Sequence, residues 1–147
     1  MFLNKINWRL YKTIVTTILF ALSIYKTIST MSSIKIKRIY EAPDKTDGYR
    51  MLIDRLWPRG VKKENAAIDE WNKDIAPSAE LREWFGHDPK KFKEFVARYS
   101  KELHNKKDIL KQIAEIAKKQ NLTLLYGAKD TEHNQAVVLQ KALSKLL

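Results

Sequence analysis

Cysteine is missing from all 147 residues. That excludes disulfides, thiolate catalysis and cysteine-ligated zinc or iron–sulfur centres. Histidine is scarce as well: His87, His104 and His133 are the three, and none stands at metal-ligand spacing from another. No metal site is therefore expected, and a carboxylate-assisted one has no support. The four glycines form neither a P-loop nor a three-glycine dinucleotide fingerprint. A serine elbow is absent, as are internal repeats and low-complexity tracts. No cofactor can be named from what remains.

What is present suits one domain with a real core: 147 residues, 44% of them hydrophobic. The net charge of +11 and isoelectric point near 9.8 attract phosphate-bearing partners. Part of that charge lies in residues 1–30, where Lys5, Arg9, Lys12 and Lys26 have no acid to balance them. Taking those four from the 28 basic residues leaves 24 against 17 acids, or +7 for the remainder.

Residues 1–30 read differently from the rest. Lys5, Arg9 and Lys12 precede an apolar run from Ile14 to Tyr25, the pattern of a signal sequence or anchor. The run is short against the ~20 apolar residues of a spanning helix, and no small-x-small cleavage site follows. Three readings stand: an uncleaved anchor, an interfacial helix, or sequence upstream of a true start at Met31. The third is favoured, which makes 1–30 an apolar extension and 31–147 the single domain. The expected location is the cytoplasm, with membrane attachment only if residues 1–30 are retained.

Beyond Met31, Ile34 to Tyr40 alternates apolar and basic residues and reads as a strand with one face inward. Tyr49 to Leu56 reads as a second strand. Lys62 to Asp74 has helical character, although a further strand has room near Lys62–Ile75. Ser78 caps a helix that stops at Gly86, and Asp88 with Pro89 starts the next. That helix carries Phe92, Phe95, Val96, Tyr99 and Leu103 on one stripe and ends at Asn105. Another spans roughly 108–119 and closes at Asn121 in a left-handed turn. Leu122 to Tyr126 is a buried strand, and a final helix begins about Glu132, capped by Asp130 or Thr131. Strands joined by helices predict an α/β fold: a small, mainly parallel sheet flanked by helices.

In such a sheet, ligands meet the loops at the carboxyl ends of strands. Two stretches occupy that position. The first is Asp54-Arg55-Leu56-Trp57-Pro58-Arg59-Gly60. Guanidinium forks hold phosphate or carboxylate bidentately, so Arg55 and Arg59 are candidate anion ligands. The alternative is that Arg55 pairs with Asp54 or Asp69. Trp57 reads first as a packing anchor and second as a stacking platform. The second stretch is Tyr126, Lys129, Asp130, His133 and Asn134, at a strand end and the first turn of a helix, where free N–H groups favour anions. His87 beside Asp88 is a proton carrier or, in the structural reading, a partner for a helix carbonyl. Arg82 lies on a helix within possible reach of the anion site. Asp54, His87 and His133 are thus the candidate catalytic groups. Arg55, Trp57, Arg59, Arg82, Tyr126, Lys129, Asp130 and Asn134 are the candidate ligand-binding groups.

Arg38-Ile39-Tyr40, Asp47-Gly48-Tyr49-Arg50, Asp54 to Gly60, Ala76-Pro77-Ser78, Leu81 to Asp88, Arg98-Tyr99 and Thr123 to Tyr126, continuing through Ala128-Lys129-Asp130 and His133-Asn134, resemble the YeaO-like family of small bacterial and archaeal proteins. The likeness spans about residues 33–146. Gly127 stands where an alanine is more usual. The resemblance implies a cytoplasmic domain of unknown function with a Rossmann-like fold, and it has no counterpart to residues 1–30. Some members are labelled MarR-type regulators; the lack here of a helix-turn-helix followed by a β-wing argues against that role.

Two functions are open on these residues. One is binding of an anionic small molecule, a nucleotide or phosphometabolite, at the carboxyl edge of the sheet, with acid/base chemistry as an option. The other is a nucleic-acid- or protein-binding module without chemistry, using Lys35, Lys37, Lys62, Lys63, Lys90, Lys91 and Lys93 as a basic face.

Overall fold

Four short parallel strands carry the fold in the computed structural model, which describes residues 8–28 and 33–147. The chain divides into two compact units, Met1–Met31 and Ser32–Leu147. Within the first, helix α1 covers Trp8–Ile28 and exposes Leu10, Ile14, Ile18, Leu19, Phe20 and Leu22. Thr16 and Thr17 turn their hydroxyls back onto the carbonyls of Lys12 and Thr13. No helix among the described residues is long and apolar enough to cross a membrane. Lys5 and the expected start at Met31 lie outside the described residues.

The second unit contains β1 (Ile34–Arg38), β2 (Tyr49–Leu52), β3 (Glu70–Trp71), α2 (Ala79–Phe85), α3 (Phe92–His104), α4 (Lys107–Lys119), β4 (Leu122–Tyr126) and α5 (Gln135–Ser144). Strand order is β1-β4-β2-β3, all parallel. β4 lies inside the sheet and is buried throughout, which is why it reads as an unbroken apolar run. Leu122, Leu124 and Tyr126 face one core with Met51, Ile53 and the buried residues of α2 to α5. Leu125 and Leu52 face the other side, roofed by Ile39, Ala66, Trp57, Val61, Ile68 and Trp71. The expected parallel α/β sheet with flanking helices is what forms.

Local signals placed several boundaries. Ser78 accepts from Leu81 N–H at 3.1 Å, and Gly86 closes α2 in the left-handed conformation. Asp88 accepts from Lys90 N–H and Pro89 opens the turn into α3. Asn105 caps the end of α3.

Other expectations are corrected. Lys62–Asp74 is not a helix: a single 3-10 turn at Lys63–Asn65 leads into β3, the fourth strand. The edge of β2 captures this segment, because Asp69 N–H donates to the Arg50 carbonyl at 2.8 Å and Asn72 N–H to that of Leu52 at 2.9 Å. Ladder bonds and burial of Ala66 and Trp71 over the sheet outweigh helical propensity. Strand β2 ends at Leu52, although Ile53 N–H still reaches the Leu125 carbonyl. Asn121 makes no left-handed turn; Gln120 ends α4 in extended backbone, and the Asn121 side chain ties Ser33 to Thr46. Helix α5 starts at Gln135, because Asn134 accepts from Ala136 and Val137 N–H and is itself the cap.

A buried ion cluster secures the amino end of β2. Asp47 receives Arg50 and Lys37, and Arg50 also donates to the Ala67 carbonyl at 2.7 Å. Gly48 next to it has φ +65°, and a Cβ there would overlap the backbone of Asn121.

Candidate functional site

β2 and β4 are hydrogen-bonded neighbours, so the loops leaving their carboxyl ends emerge side by side. Asp54 joins them. Its Oδ2 accepts from Gly127 N–H at 2.9 Å, and its Oδ1 accepts from the Gln135 amide at 2.5 Å. Burial pushes its carboxyl up to about 6; the Gly127 and Gln135 bonds and the nearby Arg82 charge pull the other way without cancelling it. Gly127 permits the approach, since a Cβ there would stand 2.9 Å from Asp54 Oδ2.

The rest of the 54–60 loop is pinned from three directions. Trp57 Nε1 donates to the Val61 carbonyl at 2.7 Å, and its ring meets Trp71 edge-on at 5.1 Å. Trp71 Nε1 in turn donates to the Asp54 carbonyl at 2.8 Å. Tyr40 Oη donates to the Arg59 carbonyl at 3.0 Å. Trp57 is thus the packing anchor its sequence position favoured, while its ring also lines the cavity described next.

That cavity has a volume of about 410 Å³. The β2 loop contributes Asp54, Arg55, Trp57 and Arg59, while α2 and its end contribute Arg82, Glu83, Phe85 and His87. Phe95, Gly127, Ala128, Gln135 and Tyr40 also line it, and Ile53, Leu56, Pro58 and Pro77 complete the wall. Arg55 pairs with neither Asp54 nor Asp69: Asp54 is bonded as above, and Asp69 accepts from Arg50 N–H. His87 takes a positive φ of 57° and lies exposed, its ring 5.8 Å from that of Phe85 rather than on a helix carbonyl.

The arginines divide sharply. Arg38 donates to the Ala128 carbonyl, Arg50 is held by Asp47 and Ala67, and Arg98 pairs with Glu94 while lying over Trp84. The side chains of Arg55, Arg59 and Arg82 make no hydrogen bond or ion pair among the described residues, and all three line the cavity. Arg82 Nε is even buried without a partner.

The second predicted cluster forms a different object. Asp130 Oδ1 accepts from Glu132 and His133 N–H, and its Oδ2 meets His133 Nδ1 at 2.8 Å. Those bonds hold the Asp130 carboxyl down to about 2. Asn134 donates to the Asp130 carbonyl and caps α5. The His133 ring packs edge-on to Phe92 at 5.0 Å. Tyr126 is buried in β4, where burial raises its phenol above the ordinary range. Lys129 is exposed. None of these five lines the cavity; together they set the start of α5, and so the position of Gln135.

Gln135, Tyr40 and Glu83 are cavity residues that sequence reasoning missed. Gln135 directly follows the true cap, a signal hidden by placing that cap at Asp130 or Thr131. Tyr40 follows β1, whose place beside β4 is a matter of strand order.

No group of three or more His, Asp or Glu among the described residues could hold a metal ion. Of the lysines expected to make a basic face, Lys35 bonds to Thr46, Lys37 to Asp47 and Lys91 to the Trp84 carbonyl, while Lys63 lies over Trp57.

Residues 33–147 match the family profile described as the inactive DUF488-N3 subclade. Over 114 residues the chain is 48% identical to "Uncharacterized protein YeaO" of Escherichia coli K12, covering 78% of this chain and 99% of that protein. It is 37% identical over 111 residues to "Uncharacterized protein Rv3073c" of Mycobacterium tuberculosis H37Rv and to "Uncharacterized protein Mb3100c" of Mycobacterium bovis, with 76% of this chain and 93% of each relative covered. No solved structure matches the chain.

Proposed function

Because the chain belongs to the DUF488-N3 family, as a YeaO-like member of the subclade described as inactive, we propose that its cavity binds an anionic small molecule, a nucleotide or phosphometabolite, without turning it over. One observation carries this reading: the three arginine side chains without hydrogen-bond or ion-pair partners among the described residues all line one cavity of about 410 Å³. An unpaired guanidinium facing a hollow is the usual arrangement for carboxylate or phosphate recognition. Trp57 supplies an aromatic wall, and His87 adds an imidazole at the cavity edge.

Binding rather than catalysis is favoured by how two of the three proton carriers are used, His87 alone standing at the cavity edge. Both Asp54 oxygens hold the two loops together, and His133 is tied to Asp130 outside the cavity. Tyr126, Lys129, Asp130 and Asn134 are assigned a supporting role, setting the start of α5 against the Asp54 loop. Local pairing of four of the seven expected lysines favours the cavity over a basic face as the binding element.

A thermal-shift screen of nucleotides and phosphometabolites tests this. A ligand at a hundred times its Kd adds ~2.7 kcal/mol to stability, and Arg55→Ala with Arg59→Ala should abolish the gain. A screen with no stabilising compound, or a hit indifferent to both substitutions, overturns the reading.

A further inference from the structure

The cavity is not uniform in depth. Arg55, Arg59, Tyr40 and His87 are exposed and form its mouth. Phe85 and Phe95 are 4% and 1% exposed and form its floor, with Asp54, Gly127 and Gln135 beside them. The partnerless cations of the β2 loop are therefore outside, while an acceptor and aromatic carbon are inside. An anion driven to the floor would meet the Asp54 carboxylate and two apolar phenyl side chains. An anion left at the mouth would meet two guanidinium forks and pay little desolvation.

The floor asks for something else. A carboxylate has about four lone-pair sites, and Asp54 uses two, one on each oxygen, for Gly127 and Gln135. It retains room for N–H donors. Arg82 carries the opposite requirement: its side chain is half-buried, makes no hydrogen bond or ion pair among the described residues, and has Nε shut off from solvent. It stands close enough for its charge to act on Asp54, yet it makes no salt bridge there. A planar ring with an N–H donor and an adjacent acceptor satisfies both groups at once, and Trp57 with the stacked pair Phe85 and Phe95, 4.3 Å apart, gives such a ring aromatic surroundings.

Resting on the anionic-ligand reading above, we propose that the ligand is a nucleoside monophosphate bound base-inward, its ring between Asp54 and Arg82 over Phe85 and Phe95, its phosphate at the mouth on Arg55 and Arg59. A cavity of about 410 Å³ lies toward the small end of the roughly 300–1,000 Å³ of ligand sites, which fits one nucleotide rather than a dinucleotide. The charge acting on Asp54 comes from Arg82 on α2. The Tyr99 hydroxyl on α3 is already given to the Ile75 carbonyl at 2.8 Å and does not compete for it.

Isothermal titration of the full chain tests the orientation with GMP, AMP, guanosine, adenosine and ribose 5-phosphate as probes. At least one monophosphate should bind about tenfold or more tighter than ribose 5-phosphate and than its own nucleoside. Arg55→Ala and Arg59→Ala should bring the monophosphate down to the nucleoside's affinity and leave the nucleoside within about twofold. Asp54→Asn should weaken monophosphate and nucleoside alike by about tenfold and leave ribose 5-phosphate unchanged.

Ribose 5-phosphate binding as tightly as the monophosphates would sink the base-inward arrangement while leaving the anionic reading intact. So would a monophosphate indifferent to Asp54→Asn. Nucleosides binding as well as their monophosphates, with no effect of either arginine, would sink both, as would no binding of any probe. Arg55 and Arg59 are exposed, so their variants keep the test decisive should Asp54→Asn fail to fold.

Discussion

β2 has a carboxylate at each end, and the two are treated in opposite ways. Asp47, before the strand, is buried and in contact with two cations, Lys37 and Arg50, besides the Asp44 N–H in its turn. Asp54, after it, holds only neutral donors, with the Arg82 charge at a distance. Burial works to raise both acids. At Asp47 the hydrogen bonds from the Asp44 backbone, Lys37 and Arg50 overcome it, and the carboxyl sits below its ordinary range. At Asp54 they do not, and the carboxyl rises to about 6. The same side chain is thus held by cations at one end of a four-residue strand and by neutral donors alone at the other.

The hardest way to break the contrast is at Asp47. Arg50→Met leaves the buried Asp47 carboxylate with Lys37 as its one cation and should cost about 3 kcal/mol, read as a lowered urea midpoint. The Asp47 contribution is present above pH 4 and is lost as the solution is acidified through its depressed value, so acid unfolding should begin at higher pH in this variant.

Asp54 should respond with the opposite sign. A carboxyl raised from 3.8 to about 6 stabilises the fold below its unfolded value, and that contribution disappears as pH rises through about 6. The full shift is worth ~3 kcal/mol. Urea midpoints of the wild type should therefore fall between pH 5 and pH 7 by more than those of Asp54→Asn, in which nothing titrates at that position. Parallel profiles would contradict the assignment.

Arg82→Met removes a buried donor that has no partner. It should be neutral or raise stability by about 1 kcal/mol, while weakening ligand binding. Destabilisation by several kcal/mol would show Arg82 to be structural, as Arg50 is.

Gly127→Ala sharpens the comparison most gently. The added Cβ crowds the tip of the Asp54 side chain, which can give way. Stability should change by less than about 1 kcal/mol, while the pH midpoint of the Asp54 transition shifts measurably in the urea series.

Some of this was legible along the chain because it depends on neighbours in sequence. Ser78 and Gly86 bound a helix by their own chemistry, and Leu122 to Tyr126 declares a strand buried on both faces. Asp54, Arg55, Arg59, Arg82 and His87 were legible as candidates from their residue types at strand and helix ends beside the carboxyl edge of the sheet. Lys62–Asp74 carried two readings, and the further strand prevailed because its helical spacing was overruled by free backbone groups on the edge of β2. The Tyr126–Asn134 stretch misled: its polar groups bond to one another and to the start of α5, leaving Gln135 to reach the cavity.

The sequence by itself determined most element types, the parallel α/β class, the lack of thiol chemistry and the loop rich in charge. Tertiary structure alone decided which carboxylate would be ion-paired and which held by neutral donors. That outcome depends on what arrives from 73 and 81 residues away, Gly127 and Gln135. Strand order, which puts β4 between β1 and β2, brings those groups to Asp54, and no local propensity encodes a neighbour so distant along the chain.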